Sequence, residues 1–151
     1  MHGKLARWLR LLGHNVDYYR SFSDKKLMEL AVSEDRVLLT GDHELYETAL
    51  SRGLETILVK ADNVSKILAM LANQFDIKLE VDLDLSRCPK CNANLSVVAK
   101  DAVIDVIPDG TAIYYSHFWR CSGCGQIYWQ GAHWKRIQET LEVANRLLRL
   151  F

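Results

Sequence analysis

The sequence predicts an α/β domain that is followed by a four-cysteine ribbon and a C-terminal helix. Through residue 75, segments with helical periodicity alternate with short apolar runs, a pattern typical of a parallel sheet with helices on its faces. Beyond residue 87, two Cys-x-x-Cys units lie 29 residues apart and contain all four cysteines of the 151-residue chain. The predicted boundaries are residues 1–75 for the α/β domain, 76–87 for a linker, and 88–151 for the ribbon with its helix.

The cysteine pairs, Cys88 with Cys91 and Cys121 with Cys124, are the strongest indication of a site. Each pair places two thiolates on one tight turn, and two such turns form a tetrahedral four-sulfur zinc site. Two disulfides or a redox dithiol are the alternatives, but the sequence shows no secretory context, and a redox Cys-x-x-Cys usually comes singly. Because four thiolates leave no open coordination position, the zinc is expected to be structural and the chemistry to lie upstream.

Composition excludes several classes of function. Hydrophobic residues make up 49% of the chain, charged residues make up 25%, and the formal net charge is zero, which argues against charge-driven coating of nucleic acid. We expect no membrane segment, because no apolar run reaches the roughly 18 residues that a membrane span needs. A leaderless chain with reduced cysteines is expected in the cytoplasm. No nucleotide cofactor is expected, since P-loop and dinucleotide-binding glycine motifs are absent. The oligomeric state stays open.

The elements are expected in a regular order. In the first half, helices over residues 4–12, from the start signal at 21–24, over 44–51 and over 63–75 alternate with strands over 15–19, 36–40 and 55–60. Residues 76–87 are acidic, alternate in character and show no packing pattern. In the second half, a short helix over 100–107 precedes aromatic-rich strands over 113–120 and 126–130, as in a ribbon hairpin. The last helix, over 132–150, has an apolar inner face formed by Trp134, Ile137, Leu141, Ala144 and Leu148.

Two aspartates are candidate catalytic residues. Asp24 follows the first expected strand and Asp42 follows the second, so both are expected at the carboxyl edge of the sheet, where ligands bind in such folds. Converging carboxylates there hold magnesium or manganese, which activates water to attack a phosphodiester. The alternative is helix capping, since each aspartate begins a helix. Asp62 occupies a third equivalent position and is expected to act as a cap.

Other side chains invite functional interpretations beside ordinary ones. Lys4, Arg7 and Arg10 form a basic stripe on the first helix, which could meet a phosphate backbone or be a solvated face. His117 and His133 are expected to pack or to donate hydrogen bonds, because the cysteines already complete a metal site. The ribbon also carries an aromatic cluster that could stack nucleobases or could form core; its members are Tyr115, Trp119, Trp129 and Trp134.

Five short motifs occur in an order that resembles a known family. They are GKLARWLRLLG, SD before a helix, LLTGD, RCPKC and FWRCSGCGQIYWQGAHW, which begin at residues 3, 23, 38, 87 and 118. Together they resemble the prokaryotic Mut-seven C-terminal RNase domain family, over nearly the whole chain. The resemblance implies a PIN-like three-layer domain with a mostly parallel sheet, followed by a zinc ribbon. It also implies RNA as substrate, with Asp24 and Asp42 at two metal-binding acidic positions and the four cysteines as zinc ligands.

The chain departs from the family pattern at its start. Family members usually carry a strand that ends in an aspartate before the GKLARWLR helix, whereas this chain opens with Met-His-Gly. Either the start is mis-assigned, which we favour, or the variant lacks one carboxylate and is weakly active or inactive. The main hypothesis is a metal-dependent ribonuclease. The alternatives are a non-catalytic RNA- or ribosome-binding module, and a protein-interaction module that uses the ribbon face.

Overall fold

A computed structural model describes residues 2–60 and 63–151, which form two compact units. The first unit contains Gly3–Asp17 and Val64–Phe151, and the second contains Tyr18–Asn63. The helices are α1 His2–Leu11, α2 Asp24–Ser33, α3 His43–Ser51, α4 Val64–Phe75, α5 Lys100–Val103, α6 Thr111–Tyr114 and α7 Trp134–Leu148. The strands are β1 Leu38–Thr40, β2 Thr56–Leu58, β3 Leu95–Val98, β4 Phe118–Cys121 and β5 Ile127–Tyr128. The prediction of a mixed α/β fold with a small parallel sheet, a four-cysteine cluster and a C-terminal helix is confirmed.

The second unit is built on two parallel strands. β1 and β2 pair in the register Leu39 opposite Ile57, and α2 and α3 pack against β1. Leu38 and Thr40 of β1 and Thr56 and Ile57 of β2 are buried, whereas Val37, just before β1, is exposed. The core of the unit consists of Met28, Ala31, Leu38, Leu45 and Ala49.

The expected strand over residues 15–19 is wrong. These residues have no regular secondary structure, because their polar groups bond to side chains instead of a neighbouring strand. The Val16 N–H donates to Asn92 Oδ1, and the Val16 carbonyl accepts from Arg10 Nε at 2.8 Å. The parallel sheet of the described residues therefore has two strands rather than the three expected from the alternation of elements.

In the first unit, α4 packs against α7. Ser65 Oγ donates to the Thr140 carbonyl across this helix pair. The inner face predicted for the C-terminal helix is buried most deeply at Leu141 and Ala144, and Ile67 and Leu68 are buried on α4. No helix in the described part of the chain is long and apolar enough to cross a membrane.

Residues 76–87 carry no helix or named strand, but they are not unpacked. Leu79, Val81 and Leu83 are buried, so the alternation in this segment reflects one buried side and one exposed side. The expectation that the segment has no packing pattern was wrong. The segment also forms hydrogen bonds with the rest of the unit. The Leu79 carbonyl accepts from Asn145 Nδ2, and Asp84 Oδ1 accepts from Trp119 Nε1 at 2.9 Å.

The ribbon contains a three-stranded antiparallel sheet in the order β3, β4, β5. The hairpin of β4 and β5 was predicted, whereas β3 was missed. The strand expected over 113–120 begins only at Phe118, because residues 111–114 form the short helix α6. A separate small core of Val103, Ile107 and Phe118 lies beneath this sheet.

Candidate functional site

The four cysteines converge in the ribbon. Their sulfur atoms all lie within 4.8 Å of one another, with Cys88 Sγ 3.8 Å from Cys124 Sγ and Cys91 Sγ 3.3 Å from Cys121 Sγ. A tetrahedral zinc site with Zn–S bonds of about 2.3 Å has sulfur atoms roughly 3.8 Å apart. Cys88 and Cys121 are buried and Cys91 and Cys124 are exposed. The donor set and its spacing therefore fit a structural zinc ion.

Each cysteine pair lies on a turn with the same backbone pattern. In the first cysteine turn, residues 88–93, Cys88 N donates to Ala93 O and Asn92 N donates to Cys88 O. In the second, residues 121–126, Cys121 N donates to Gln126 O and Gly125 N donates to Cys121 O. The residue after the second cysteine has a positive φ in both turns, 72° at Asn92 and 79° at Gly125. The two cysteine turns therefore share the same backbone geometry.

Gly123 is required by close approach rather than by its backbone angle. A Cβ at this position would lie 2.9 Å from Ala93 Cβ and 3.2 Å from Cys91 Sγ. The absence of a side chain lets the second cysteine turn come close to the first. The backbone N–H of Gly123 also donates to Cys121 Sγ at 3.3 Å, and the N–H of Cys124 donates to the same sulfur at 3.4 Å.

These contacts favour the thiolate form of Cys121. Burial by itself raises the pKa of this thiol. Hydrogen bonds from the backbone N–H groups of Cys124 and Gly123, together with the neighbouring thiols, outweigh burial and lower the pKa to about 6. A thiolate is the form that binds metal, so Cys121 is prepared for coordination at neutral pH.

A tyrosine supports the site from outside the sulfur cluster. The Tyr128 hydroxyl lies 2.9 Å from Cys88 Sγ. Burial, and then this bond to Cys88, raise the pKa of Tyr128 well above its usual range, so the phenol stays protonated and donates to the sulfur. Such outer hydrogen bonds orient metal ligands and tune their basicity.

Three hydrogen bonds that sequence reasoning missed tie the first cysteine turn to α1 and the segment after it. Asn92 Nδ2 donates to Asn15 Oδ1 at 2.7 Å, and Asn92 Oδ1 accepts from the Val16 N–H at 3.1 Å. Arg10 Nη1 donates to the Pro89 carbonyl at 3.0 Å. The sequence does offer one hint, because asparagine stands where the second turn has glycine. Asparagine tolerates the left-handed conformation and adds a side chain that can bond elsewhere.

We expect the stability of the protein to follow the order wild type, Asn92→Gly, Asn92→Ala. Glycine keeps the positive φ but loses the side-chain bonds, at a cost of about 1–2 kcal/mol. Alanine also adds backbone strain of about 1–2 kcal/mol. Urea unfolding of the zinc-loaded proteins measures the difference. Asn94→Ala is the control, because Asn94 is exposed and loses only a long bond of 3.4 Å from Arg87 Nη1, and it is expected to lie within about 0.5 kcal/mol of wild type. Equal stability of the glycine and alanine variants would contradict the strain component.

The structure places Asp42 at the carboxyl end of β1 and at the N-terminus of α3. Its Oδ1 accepts from Glu44 N at 2.8 Å and from Leu45 N at 3.3 Å, so Asp42 is the N-cap of α3. The capping interpretation is thus realised, but both bonds use one oxygen of an exposed side chain. The other oxygen, Oδ2, accepts no hydrogen bond from the described residues.

Asp24 is exposed and is the first residue of α2, which Ser23 caps through its side chain. The expected strand before Asp24 is absent, so its assignment to a sheet edge loses its basis and rests on the family resemblance. Asp62 lies outside the described residues. Within the part of the chain that the structure describes, the four cysteines are the one group of three or more metal-ligating side chains close enough to hold an ion.

The three residues of the basic stripe differ in exposure and in hydrogen bonding. Lys4 and Arg7 are exposed on α1, whereas Arg10 is half-buried and donates to Val16 and Pro89. Arg10 therefore has a structural role in the first unit. His117 and His133 are both exposed and lie outside the cysteine cluster.

The family model of the Mut7-C RNAse domain matches residues 1–141 of the chain. Because the match covers most of the 151 residues, the chain belongs to the Mut7-C RNAse domain family. A nuclease-type function is the one that this membership suggests, and the resemblance noted from the sequence motifs is confirmed. A search of curated proteins and a search of solved structures found no match.

Proposed function

We propose that this protein is a divalent-metal-dependent ribonuclease that hydrolyses phosphodiester bonds in RNA. The observation that carries the proposal is the family match over residues 1–141, which includes an exposed aspartate at the carboxyl end of a parallel strand. That edge is where ligands bind in folds with parallel sheets.

The proposed catalytic cation is magnesium or manganese, held by Asp42 with Asp24 as the second carboxylate. Magnesium is usually bound through one or two carboxylates, waters and the phosphates of the substrate, and so does not need a cage made of protein ligands alone. The cation would polarise the phosphodiester and lower the pKa of a bound water. Lys4 and Arg7, which are exposed, are proposed to contact the RNA backbone.

The zinc site has a different role in this proposal. Four cysteine sulfurs complete a tetrahedral coordination shell and leave no position for water or substrate. The ribbon is therefore proposed to stabilise the fold and to take part in RNA binding, while hydrolysis depends on the second metal. The two metals can be separated experimentally, because thiolates prefer zinc and carboxylates prefer magnesium or manganese.

We expect end-labelled RNA to be cleaved when manganese or magnesium is added to the zinc-loaded protein, and to remain intact when neither is added. Zinc content is measured in the same samples, and chelators are avoided so that the ribbon stays folded. Calcium, which prefers looser geometry and more ligands, is the matched control and is expected to support little or no cleavage. Absence of cleavage with every cation, or equal cleavage without any, would contradict the proposal.

A non-catalytic RNA-binding module is the second candidate. It is favoured by the lack, among the described residues, of a cluster of three or more carboxylates or histidines able to hold a cation. Under this proposal the protein retains RNA without added magnesium or manganese, does not cleave it, and releases it steeply as salt rises. A filter-binding salt titration, run beside the cleavage assay, distinguishes the two candidates.

A further inference from the structure

An aromatic pocket in the ribbon has no part in the proposed hydrolysis. Its volume is about 410 Å³, which lies within the range of small-molecule sites in proteins. The pocket lies in the first unit, between the end of the β-hairpin and the first turn of α7. The lining residues that matter here are Tyr115, Gln126, Tyr128, Trp129, His133 and Trp134.

The aromatic wall of the pocket is held in place from behind. Trp129 packs against the fully buried Phe118, with ring centroids 6.0 Å apart at an angle of 52°. Gly131 makes room for it, since a Cβ there would lie 2.6 Å from Trp129 Nε1. The neighbouring Tyr128 is fixed through its hydroxyl at Cys88 Sγ. The wall is therefore preorganised, which lowers the entropic cost of binding a flat ligand.

Three of the side chains that line the pocket also contact the hydrophobic core, but they are not fully buried in it. Tyr115, Ile127 and Trp129 pack against the small core beneath the ribbon sheet, but each is only partly buried. The same three residues line the pocket. One side of each side chain thus supports the fold while another side is available to a ligand.

The chemistry of the lining favours a neutral aromatic ligand with polar edges. Among the described residues that line the pocket there is no carboxylate, ammonium or guanidinium group. Gln126 supplies an amide, Thr111 a hydroxyl and His133 an imidazole, and these can bond to the edge of a ring. A free anion would find no fixed positive charge inside such a pocket.

Two cations follow Trp134 in the chain, but they do not line the pocket. Lys135 and Arg136 directly follow Trp134, and both are exposed. The first turn of α7 contains no acidic residue that would neutralise them. Because these cations lie outside the pocket lining, the class of ligand follows from the rings and their polar neighbours. An uncharged aromatic pocket with amide, hydroxyl and imidazole groups matches a nucleobase, which is a neutral ring with hydrogen-bonding edges.

We propose that this pocket binds an unpaired nucleobase of single-stranded RNA, which stacks on Trp134 and Tyr115. The inference rests on the proposed function only in taking RNA as the ligand. It adds that the preferred substrate is single-stranded at this position, because a base inside a duplex has no exposed face to stack.

Fluorescence anisotropy of a short labelled oligoribonucleotide tests the proposal, with zinc-loaded protein and no added magnesium or manganese. We expect the single strand to bind more tightly than a blunt duplex of the same sequence. Trp134→Ala is expected to weaken binding of the single strand by about 5- to 150-fold, the range measured for loss of one stacked base. Tyr114→Ala is the matched control, since Tyr114 is an exposed aromatic residue outside the pocket and its loss should leave binding unchanged.

A second measurement uses the unaltered protein, in case Trp134→Ala disturbs α7. Photo-crosslinking of an oligoribonucleotide that contains 5-bromouridine, followed by peptide mapping, should mark residues within 111–137. Crosslinks confined to other segments, equal binding of single strand and duplex, or equal effects of the Trp134 and Tyr114 substitutions would overturn the proposal. So would a proline-rich peptide whose binding depends on Trp134 while binding of RNA does not.

These assays can contradict the pocket proposal and the ribonuclease proposal independently of each other. If the pocket binds single strands but the protein cleaves no RNA with any cation, the ribonuclease proposal fails and the pocket stands. If cleavage requires manganese but Trp134→Ala binds RNA as tightly as wild type, the pocket proposal fails alone.

Discussion

Substitution of Cys88 by serine is expected to abolish zinc binding and to unfold the ribbon. Cys88 is fully buried and lies within the four-sulfur cluster. The variant therefore has three thiolates and cannot complete the tetrahedral coordination of zinc. Structural zinc contributes an apparent 10–16 kcal/mol or so in small zinc modules, as much as the whole stability of a typical domain. The core beneath the ribbon sheet is small, since it consists of three buried residues with partly buried side chains packed on them.

The loss is measured as zinc per chain, together with far-UV circular dichroism and limited proteolysis. Ser122→Ala is the matched control, because Ser122 is exposed on the second cysteine turn and loses only its bond to the Asn94 carbonyl. A strong chelator should reproduce the effect of Cys88→Ser in the wild type, and added zinc should reverse it. A Cys88→Ser protein that holds one zinc and resists protease like wild type would contradict the structural role of the site.

Substitution of Asp42 by asparagine is expected to lower RNA cleavage by on the order of 100-fold or more while the protein stays folded. Asparagine caps helices about as well as aspartate, so the bonds to Glu44 and Leu45 can be kept. The substitution removes the negative charge that the proposed cation needs, and a metal ion supplies several kcal/mol of transition-state stabilisation. The isosteric change therefore separates the two roles of this residue.

Asp35→Asn is the matched control for this experiment. Asp35 is an exposed aspartate in the turn before β1, and its φ of 52° is one that asparagine also tolerates. We expect it to cleave RNA at the wild-type rate. Asp42→Ala adds a further comparison, since loss of the cap should also lower the free energy of unfolding by about 0.5–2 kcal/mol. If Asp42→Asn cleaves as fast as wild type, the catalytic assignment of Asp42 is wrong.

The sequence could predict the elements whose signal is local. Thr40, Gly41 and Asp42 mark a strand end and a helix start within three residues, and each cysteine turn is marked by its own spacing. The contacts of residues 15–17 were not predictable in this way, because Val16 finds its partner at Asn92, 76 residues away. The apolar and aromatic composition of that segment suggested a strand, but strand pairing depends on a neighbour that periodicity does not reveal.

The contrast between local signals and contacts of distant residues also explains which candidate sites the sequence could predict. The four thiols could be recognised as a set because zinc ligation imposes a spacing. The alternation of Leu79, Val81 and Leu83 is visible in the sequence, but the burial of an extended segment depends on the surface that it meets, which the alternation does not reveal. For Asp24, the argument from strand order failed with the strand itself, and the resemblance to the family remains its support.

The central claim is that two metals have two roles, zinc in the ribbon and a divalent cation at Asp42. Titration of manganese into the zinc-loaded protein, followed by electron paramagnetic resonance of the free ion, tests it most directly. We expect one bound manganese per wild-type chain and per Asp35→Asn chain, a large loss of manganese binding in Asp42→Asn, and one zinc in all three. Manganese binding that is the same in Asp42→Asn and wild type, or that disappears only when zinc is lost, would contradict the claim.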